Sequence, residues 1–413
     1  MEIVKGVYLH PIKTKKFKNN HITCRFSSPL KKQSVARRAL VAQILETANA
    51  TYPSLQSFRE KLAHLYGAHF STQVSSKGQV HILDIDINFV ADRYAVNGDS
   101  VLVEVFKFLH DALFNPLVSV VQYQQKLFQR EKTNLIHAIS SSMEDAFDYS
   151  DWQVKKLFFR QDSLALPPYA IPDLLQQETS YTAYQEFQKM LQEDQIDIFV
   201  VGDFDEYRVL QLIHQYPFEE RHVELNYFYQ QHYSNVVSHQ TEFKPNQQSV
   251  LQLAYHALTP YGSKDYFSLL LLNGMLGMFS HSRLFTEIRE KAGLSYQIGS
   301  HLDVYTGLLQ VYSGIDASNR DRTLQLIVKQ LTDFKTGCFS IDLIKHTKKM
   351  LKTSIVLLED SPKYLVESTY RLNYCAAMDV DRWLTEIDKV SKAEIVKLAG
   401  SIKMQSVYFL EGV

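Results

Sequence analysis

Hydrophobic positions along this chain recur with a strand-like period and then a helix-like period, and this succession occurs twice. Residues 20–30 read as a strand that ends in a turn, and residues 249–260 read in the same way. A segment of helical period follows each strand, Gln33–Asn49 in the first half and Asp265–Met278 in the second. The pattern therefore predicts an internal repeat that begins with a strand and a helix.

The repeat continues with a second amphipathic segment that ends at a glycine in each half. Gly67 and Gly293 stand where a helix end favours the left-handed conformation, and aromatic residues follow both. An alternating strand comes next, His81–Phe89 in the first half and Gly307–Ile315 in the second. The same landmarks thus recur in the same order.

Each half closes with a helix, a turn and a strand, the strands lying within 196–205 and 405–413. We therefore predict an α+β fold of two homologous half-domains, 1–216 and 248–413, each a mainly antiparallel sheet with helices packed on one face. Residues 217–247 are rich in Tyr, His and Gln rather than Gly and Ser, which predicts a packed linker that joins the halves into a clamshell. Two unrelated α+β domains are the alternative.

The composition is that of an ordinary globular protein of 413 residues, with 44 Lys and Arg, 45 Asp and Glu, and a formal net charge of -1. This balance gives no reason to expect a nucleic acid or an anionic membrane as a partner. The three cysteines are widely spaced, the N-terminus has no apolar core of signal-peptide length, and no apolar run of about 18 residues occurs. We expect a cytoplasmic protein; export by an unmarked route is the alternative.

The most informative segment is 269–315, where a helix, a small-residue turn, a second helix start and a glycine-containing strand follow one another. Its landmarks are Gly274, Gly277, Ser282–Phe285 (SRLF), Arg289–Tyr296 (REKAGLSY) and the strand from Gly307. This order and spacing resemble the C-terminal half-domain of the insulinase/pitrilysin-type zinc metallopeptidase family. The resemblance implies that both halves of the chain are insulinase-like domains.

Arg289 and Tyr296 flank the chain reversal in this segment. Arg289 is expected in the last helical turn, Gly293 reverses the chain, and Tyr296 opens the next strand, so both side chains converge on one side. The resemblance implies that this pair contacts bound peptide near the scissile bond, where their donors suit a carbonyl or a developing oxyanion. Alternatively, Arg289 neutralises a helix C-terminus and Tyr296 packs.

The resemblance also implies a zinc motif, H-x-x-E-H, on the first long helix. If Tyr52–Ser54 lies on the turn that follows this helix in the family, the motif falls on Gln43–Thr47. Gln43, Glu46 and Thr47 would then share one helix face, the degenerate metal face. A neutral amide and a hydroxyl are poor zinc ligands compared with imidazole, thiolate or carboxylate.

A third ligand in active members is a Glu on a later helix, seven residues after another Glu. Here Glu131 matches the earlier Glu, and Ala138 takes the ligand position. With all three ligands absent, we expect no metal in this chain and no catalytic residue. Glu46 would be a general base without a metal-bound water to activate, or simply a solvated carboxylate on a helix face. His137, next to Ala138, would still leave too few ligands.

The chain looks most like the YfmF-like, non-catalytic branch of the bacterial members. Such chains resemble the silent halves of two-subunit peptidases. We therefore predict a subunit that pairs with an active zinc peptidase in a heterodimer, encloses a peptide-processing chamber and leaves zinc to the partner. One alternative is a non-catalytic binding or scaffold protein in a peptide or elongation factor P modification pathway. The other is an enzyme of unrelated chemistry, for which no nucleophile or cofactor pattern is visible.

Overall fold

The computed structural model describes residues 1–98, 100–245 and 248–412, without the side chain of Asn97. The strands are β1 (Glu2–Val4), β2 (Val7–Lys13), β3 (Asn19–Pro29), β4 (His69–Lys77), β5 (Val80–Val90), β6 (Val118–Ser119), β7 (Gln122–Tyr123), β8 (Gln195–Gly202), β9 (Ser238–Lys244), β10 (Ser249–His256), β11 (Ser295–Asp303), β12 (Leu308–Ile315) and β13 (Lys403–Gly412).

The α-helices are α1 (Lys32–Leu45), α2 (Leu55–His64), α3 (Val101–Phe114), α4 (Gln125–Ser142), α5 (Ala146–Phe158), α6 (Asp162–Ala165), α7 (Pro172–Gln177), α8 (Ser180–Glu193), α9 (Glu206–Ile213), α10 (Tyr266–Asn273), α11 (Arg320–Thr336), α12 (Ile341–Leu358), α13 (Pro362–Tyr374), α14 (Val380–Lys389) and α15 (Lys392–Ser401). Two π-helical turns, Gly274–Met278 and Phe285–Lys291, follow α10, and three short 3₁₀ turns are Asp92–Tyr94, Val96–Gly98 and Ala317–Asn319. No helix of the described chain combines the length and the apolar character that a bilayer crossing requires.

The two large sheets share one strand topology. The first sheet has the order β1-β2-β8-β3-β5-β4, and the second has the order β9-β13-β10-β12-β11 when read from β9. In each sheet one pair is parallel, β2 with β8 and β9 with β13, and the other pairs are antiparallel. The α+β fold with mainly antiparallel sheets, predicted from the repeated pattern, is confirmed.

A hydrophobic core fills the space between each sheet and its main layer of helices. Ile22, Cys24 and Phe26 of β3 are buried in the first half of the chain, and Leu251 and Leu253 of β10 are buried in the second. These residues alternate along their strands because successive side chains point to opposite faces. The central strands of the two sheets therefore occupy corresponding places, as the repeat predicted.

The chain packs into two compact units, and each unit takes a segment from the other half of the sequence. The first comprises Met1–Ser140, Pro167–Asn226 and Asp360–Thr369; the second comprises Ser141–Leu166, Tyr227–Glu359 and Tyr370–Val413. These units are defined by packing, whereas 1–216, 217–247 and 248–413 were drawn from the sequence repeat and stay a prediction. Residues 246 and 247 of the predicted linker, and residue 413, lie outside the described residues.

Each segment taken from the other half of the sequence lies on the face of the sheet opposite the main layer of helices, where polar side chains of the strands contact it. In the first unit, Arg25 donates to Asp84 at 2.8 Å and to Glu367 of α13 at 3.1 Å, while Lys363 of α13 pairs with Asp86 at 2.9 Å. Burial opposes ionisation of Asp86, but hydrogen bonds from His21 and other donors hold its pKa at about 2. Ion pairs thus fasten the start of α13 to this sheet.

Helix α5 has the corresponding role in the second unit, where it packs against β10 and β13. Gln252 donates to the Ser150 hydroxyl at 3.0 Å, and Gln310 donates to Asp151 at 2.8 Å. The sequence pattern predicted helices on one face; α13 in the first unit and α5 in the second also contact the opposite face.

Candidate functional site

The degenerate metal face lies at the end of α1, which stops at Leu45. Gln43 is on the helix and half-buried, whereas Thr47 lies in the turn beyond it and is buried. The Thr47 amide and hydroxyl both donate to the Ile44 carbonyl, at 3.0 and 2.8 Å. The Thr47 hydroxyl is therefore bound to the backbone, as short polar side chains often are near helix ends.

Glu46 occupies the C-cap position of α1, with φ −80° and ψ −6°. Its carboxylate accepts the Thr72 amide proton, and its Oε1 lies 2.9 Å from the Thr72 hydroxyl. That hydroxyl also lies 2.9 Å from the Ala42 carbonyl, so its single proton serves one acceptor at a time. Thr72 belongs to the edge strand β4. Glu46 thus ties α1 to this edge and is not the solvated carboxylate that one sequence interpretation expected.

Glu131 of α4 lies beside Gln43 of α1. It is buried, and its carboxylate accepts from Arg130 at 2.6 Å, from Gln43 at 3.4 Å and from Asn134 at 3.4 Å. Ala138 is exposed on the same helix, as is His137. The structure therefore joins Gln43 to Glu131 and leaves the position of the third ligand with a methyl group.

The donor chemistry of this face does not fit zinc. The three ligand positions carry an amide, a hydroxyl that donates to its own backbone, and a methyl group. Among residues 1–98, 100–245 and 248–412, no group of three or more His, Cys, Asp and Glu side chains has a metal-binding arrangement. No metal-dependent step can be built on Gln43, Glu46 and Thr47.

Arg289 and Tyr296 come together at the other candidate position. Arg289 lies in the π-helical turn Phe285–Lys291, Gly293 has a left-handed φ of 62°, and Tyr296 is the second residue of β11. The Arg289 guanidinium carbon lies 4.8 Å from the centroid of the Tyr296 ring. The predicted helix end, reversal and strand start are all present, with a π-helical last turn in place of an α-helical one.

Aromatic contacts hold this guanidinium in place without burying it. Its carbon also lies 4.4 Å from the ring centroid of Phe285, and its Nε lies 3.5 Å from Glu290. Each contact between a guanidinium and an aromatic face is worth about 0.5–1 kcal/mol at exposed sites. The Arg289 side chain is 33% exposed and Tyr296 is 81% exposed. The two side chains contact one another and are open to solvent, which suits binding to a polar chain.

The sequence interpretation did not assign a role to Phe285. It had appeared only as the last residue of the SRLF start, whereas the structure shows it supporting Arg289. The spacing of four residues between them, which brings side chains together on a helical surface, was the available signal.

Known proteins similar to this chain include members of one peptidase family. Residues 182–351 match the model described as the peptidase M16 inactive domain. The chain is 29% identical over 412 residues to the "Probable inactive metalloprotease YmfF" of Bacillus subtilis strain 168, covering 98% of this chain and 96% of that protein. The chain is therefore similar to inactive M16 peptidases. M16 is the insulinase/pitrilysin-type family that the motifs had indicated, and the relative that matches nearly the whole chain is designated YmfF, whereas the branch expected from the sequence was called YfmF-like.

Solved structures share the fold of this chain. A conserved protein from Enterococcus faecalis V583 is 35% identical, with a TM-score of 0.95, covering 100% of this chain and 98% of that one. A peptidase M16 inactive domain protein from Pseudomonas fluorescens has a TM-score of 0.80 at 14% identity, covering 99% and 96% of the two chains. At that identity the second match shows a common fold alone.

Proposed function

We propose that this chain is the partner subunit of an active, zinc-bearing M16 peptidase, and that the two form a heterodimer around a peptide substrate. The partner supplies the zinc and the general base. This chain supplies Arg289 and Tyr296 as a substrate clamp and needs no metal of its own.

One observation supports the proposal: the polar groups of one candidate position are occupied, and those of the other are accessible. Glu46 and Thr47 on the degenerate metal face form hydrogen bonds with the protein's own backbone, whereas Tyr296 is exposed and Arg289 contacts its ring. Five guanidinium donors and a phenol hydroxyl suit a peptide carbonyl, and such donors gain strength where charge develops in a transition state.

The first test replaces each clamp residue in a complex reconstituted with an M16 subunit that has an intact H-x-x-E-H motif. Arg289→Ala and Tyr296→Phe are each expected to lower turnover about a hundredfold, the usual cost of losing one donor to a developing oxyanion. Turnover of a fluorogenic peptide is measured per folded complex, together with the melting temperature. Lys291→Ala is the matched control, because it removes a cation from the same turn that pairs with Glu287 on the helix itself.

A purely structural role predicts the reverse pattern, a lower melting temperature with turnover per folded complex unchanged. That result would reject the clamp. The chain would then be better described as a binding or scaffold protein, for which the modification of peptides or of elongation factor P is the candidate pathway.

A further inference from the structure

A polar cavity of about 440 Å³ lies within the first unit and shares no residue with either candidate position described above. Its walls come from the start of α1, from α8 and from the segment that contains Arg221. A volume of this size falls in the range of small-molecule sites, about 300–1,000 Å³. The charges on its walls indicate what it can hold.

Glu186 of α8 lines the cavity and is only 7% exposed. Throughout the part of the chain that the structure describes, its carboxylate has neither a hydrogen bond nor an ion pair. Burial raises its pKa, with Arg38 as the main opposing influence and Asp194 as a further raising one. A buried carboxylate without a partner is costly, so the position calls for a cation.

The nearby buried cation is already engaged. Arg38 donates to Asp194 at 2.6 Å, to His81 at 2.9 Å and to the Phe26 carbonyl at 3.1 Å. Asp194 therefore takes the direct ion pair with Arg38 and leaves Glu186 with longer-range attraction only. Lys189, which lines the same cavity, and Arg37 add further attraction at longer range, but no cation pairs directly with Glu186 among the described residues.

Positive groups without carboxylate partners line the same cavity. Arg221 is buried and donates to the carbonyls of Glu219 and Leu191, at 2.6 to 2.9 Å, and burial lowers its pKa. Lys31 is the N-cap residue of α1, where it provides no side-chain cap, and the first helical turn has no acidic residue. A helix N-terminus of this kind attracts anions through its free amides and its dipole.

We propose that this cavity binds a free amino acid, with its ammonium group at Glu186 and its carboxylate at the start of α1 and Arg221. Such a ligand matches both charges at once, whereas a simple amine or a simple anion would match one. This binding is separate from the clamp of Arg289 and Tyr296, and each can fail without the other.

Equilibrium dialysis against an equimolar mixture of the common amino acids, with the bound fraction quantified by mass spectrometry, tests this site in the full-length chain. We expect the wild-type protein to enrich at least one amino acid. Glu186→Gln keeps the shape and removes the charge, and should weaken binding at least about tenfold, since hydrogen bonds to charged groups are worth about 1.5–3 kcal/mol. Glu193→Gln is the matched control, because Glu193 lines the same cavity with a side chain that is 64% exposed.

Titration calorimetry then compares the enriched amino acid with its amide, which lacks the carboxylate, and with its N-acetyl form, which lacks the ammonium group. Both derivatives should bind more weakly than the parent compound. A wild-type protein that enriches no amino acid would overturn the proposal, as would equal enrichment by a folded Glu186→Gln variant. Thermal unfolding of both variants establishes that they are folded.

Discussion

The polar residues of the degenerate metal face and of α4 beside it form hydrogen bonds within the protein. Glu46 accepts from the Thr72 amide and lies within hydrogen-bond distance of the Thr72 hydroxyl, Thr47 donates to Ile44, and Glu131 accepts from three donors. The loss of zinc ligands could be seen in the sequence, because Gln43, Thr47 and Ala138 lack suitable donors. The new partners of Glu46 could not, because Thr72 lies on a distant strand whose register only the folded sheet defines.

A buried histidine gives the first unit a pH dependence. The His81 ring accepts from Arg38 at Nδ1, at 2.9 Å, and its Nε2 lies 2.9 Å from the Pro168 carbonyl, to which it donates as the neutral tautomer. Burial, and then the charge of Arg38, lower the pKa of His81 from 6.5 to about 3. Protons therefore favour the unfolded chain, and the free energy of unfolding should fall as the pH drops from about 6.5 towards 3, by up to about 1.4 kcal/mol per pH unit.

Urea unfolding at several pH values measures this slope. His81→Gln should flatten it, because an amide offers an acceptor and a donor without titrating. His137→Gln, at an exposed position on α4, serves as the control and should leave the slope unchanged. An identical slope in His81→Gln and in the wild-type protein would contradict the assigned cause.

At the scale of elements, the alternating strands were predicted well and the helix ends less well. The predicted strand His81–Phe89 lies inside β5, because its pattern has a clear period of two. The predicted helix Gln33–Asn49 instead stops at Leu45. Asn49 there accepts the Tyr52 amide proton at 2.7 Å, and such side chains compete with the helix for backbone groups.

Two glycines at corresponding points of the repeat should respond equally to substitution. Gly67 and Gly293 have φ values of 71° and 62°, and a Cβ atom at either would meet no atom within 4 Å. Alanine at each should therefore lower the free energy of unfolding by the cost of the left-handed conformation alone, about 1–2 kcal/mol.

Gly400→Ala is the control for these variants, measured by the same urea titration. Gly400 lies inside α15 with open space around it, so alanine should stabilise the protein by about 0.5–1 kcal/mol. A large difference between Gly67→Ala and Gly293→Ala would show that the two helix ends are not equivalent.

At the scale of the whole molecule, each compact unit depends on a segment from the other half of the sequence. α5 belongs to the first half of the sequence, yet it packs on β10 and β13 of the second unit. α13 belongs to the second half of the sequence, yet its start binds Arg25 and Asp86 of the first unit. Periodicity could not reveal this exchange, because it reports which face of a helix is apolar and not which sheet covers it.

Neither half is therefore expected to fold alone. Fragments 1–216 and 248–413, expressed separately, should aggregate or unfold without cooperativity, because each lacks the segment that covers the second face of its sheet. Adding 141–166 and 227–247 to the second fragment, and 217–226 and 360–369 to the first, through short linkers where needed, should restore cooperative unfolding. Circular dichroism during heating distinguishes these cases, and cooperative unfolding of an unextended fragment would contradict the expectation.

Catalysis in the proposed complex is assigned to the partner subunit, and metal analysis combined with turnover measurements tests this assignment. The isolated chain should bind no stoichiometric zinc, and the heterodimer should hold one zinc ion, in the partner. Glu46→Gln should leave turnover of the complex unchanged, because Gln43, Thr47 and Ala138 offer no ligands for a metal that would activate a water beside this carboxylate, while the same change in the partner's H-x-x-E-H motif should abolish turnover. One zinc ion held tightly by this chain alone, or a large loss of turnover in Glu46→Gln, would contradict the account.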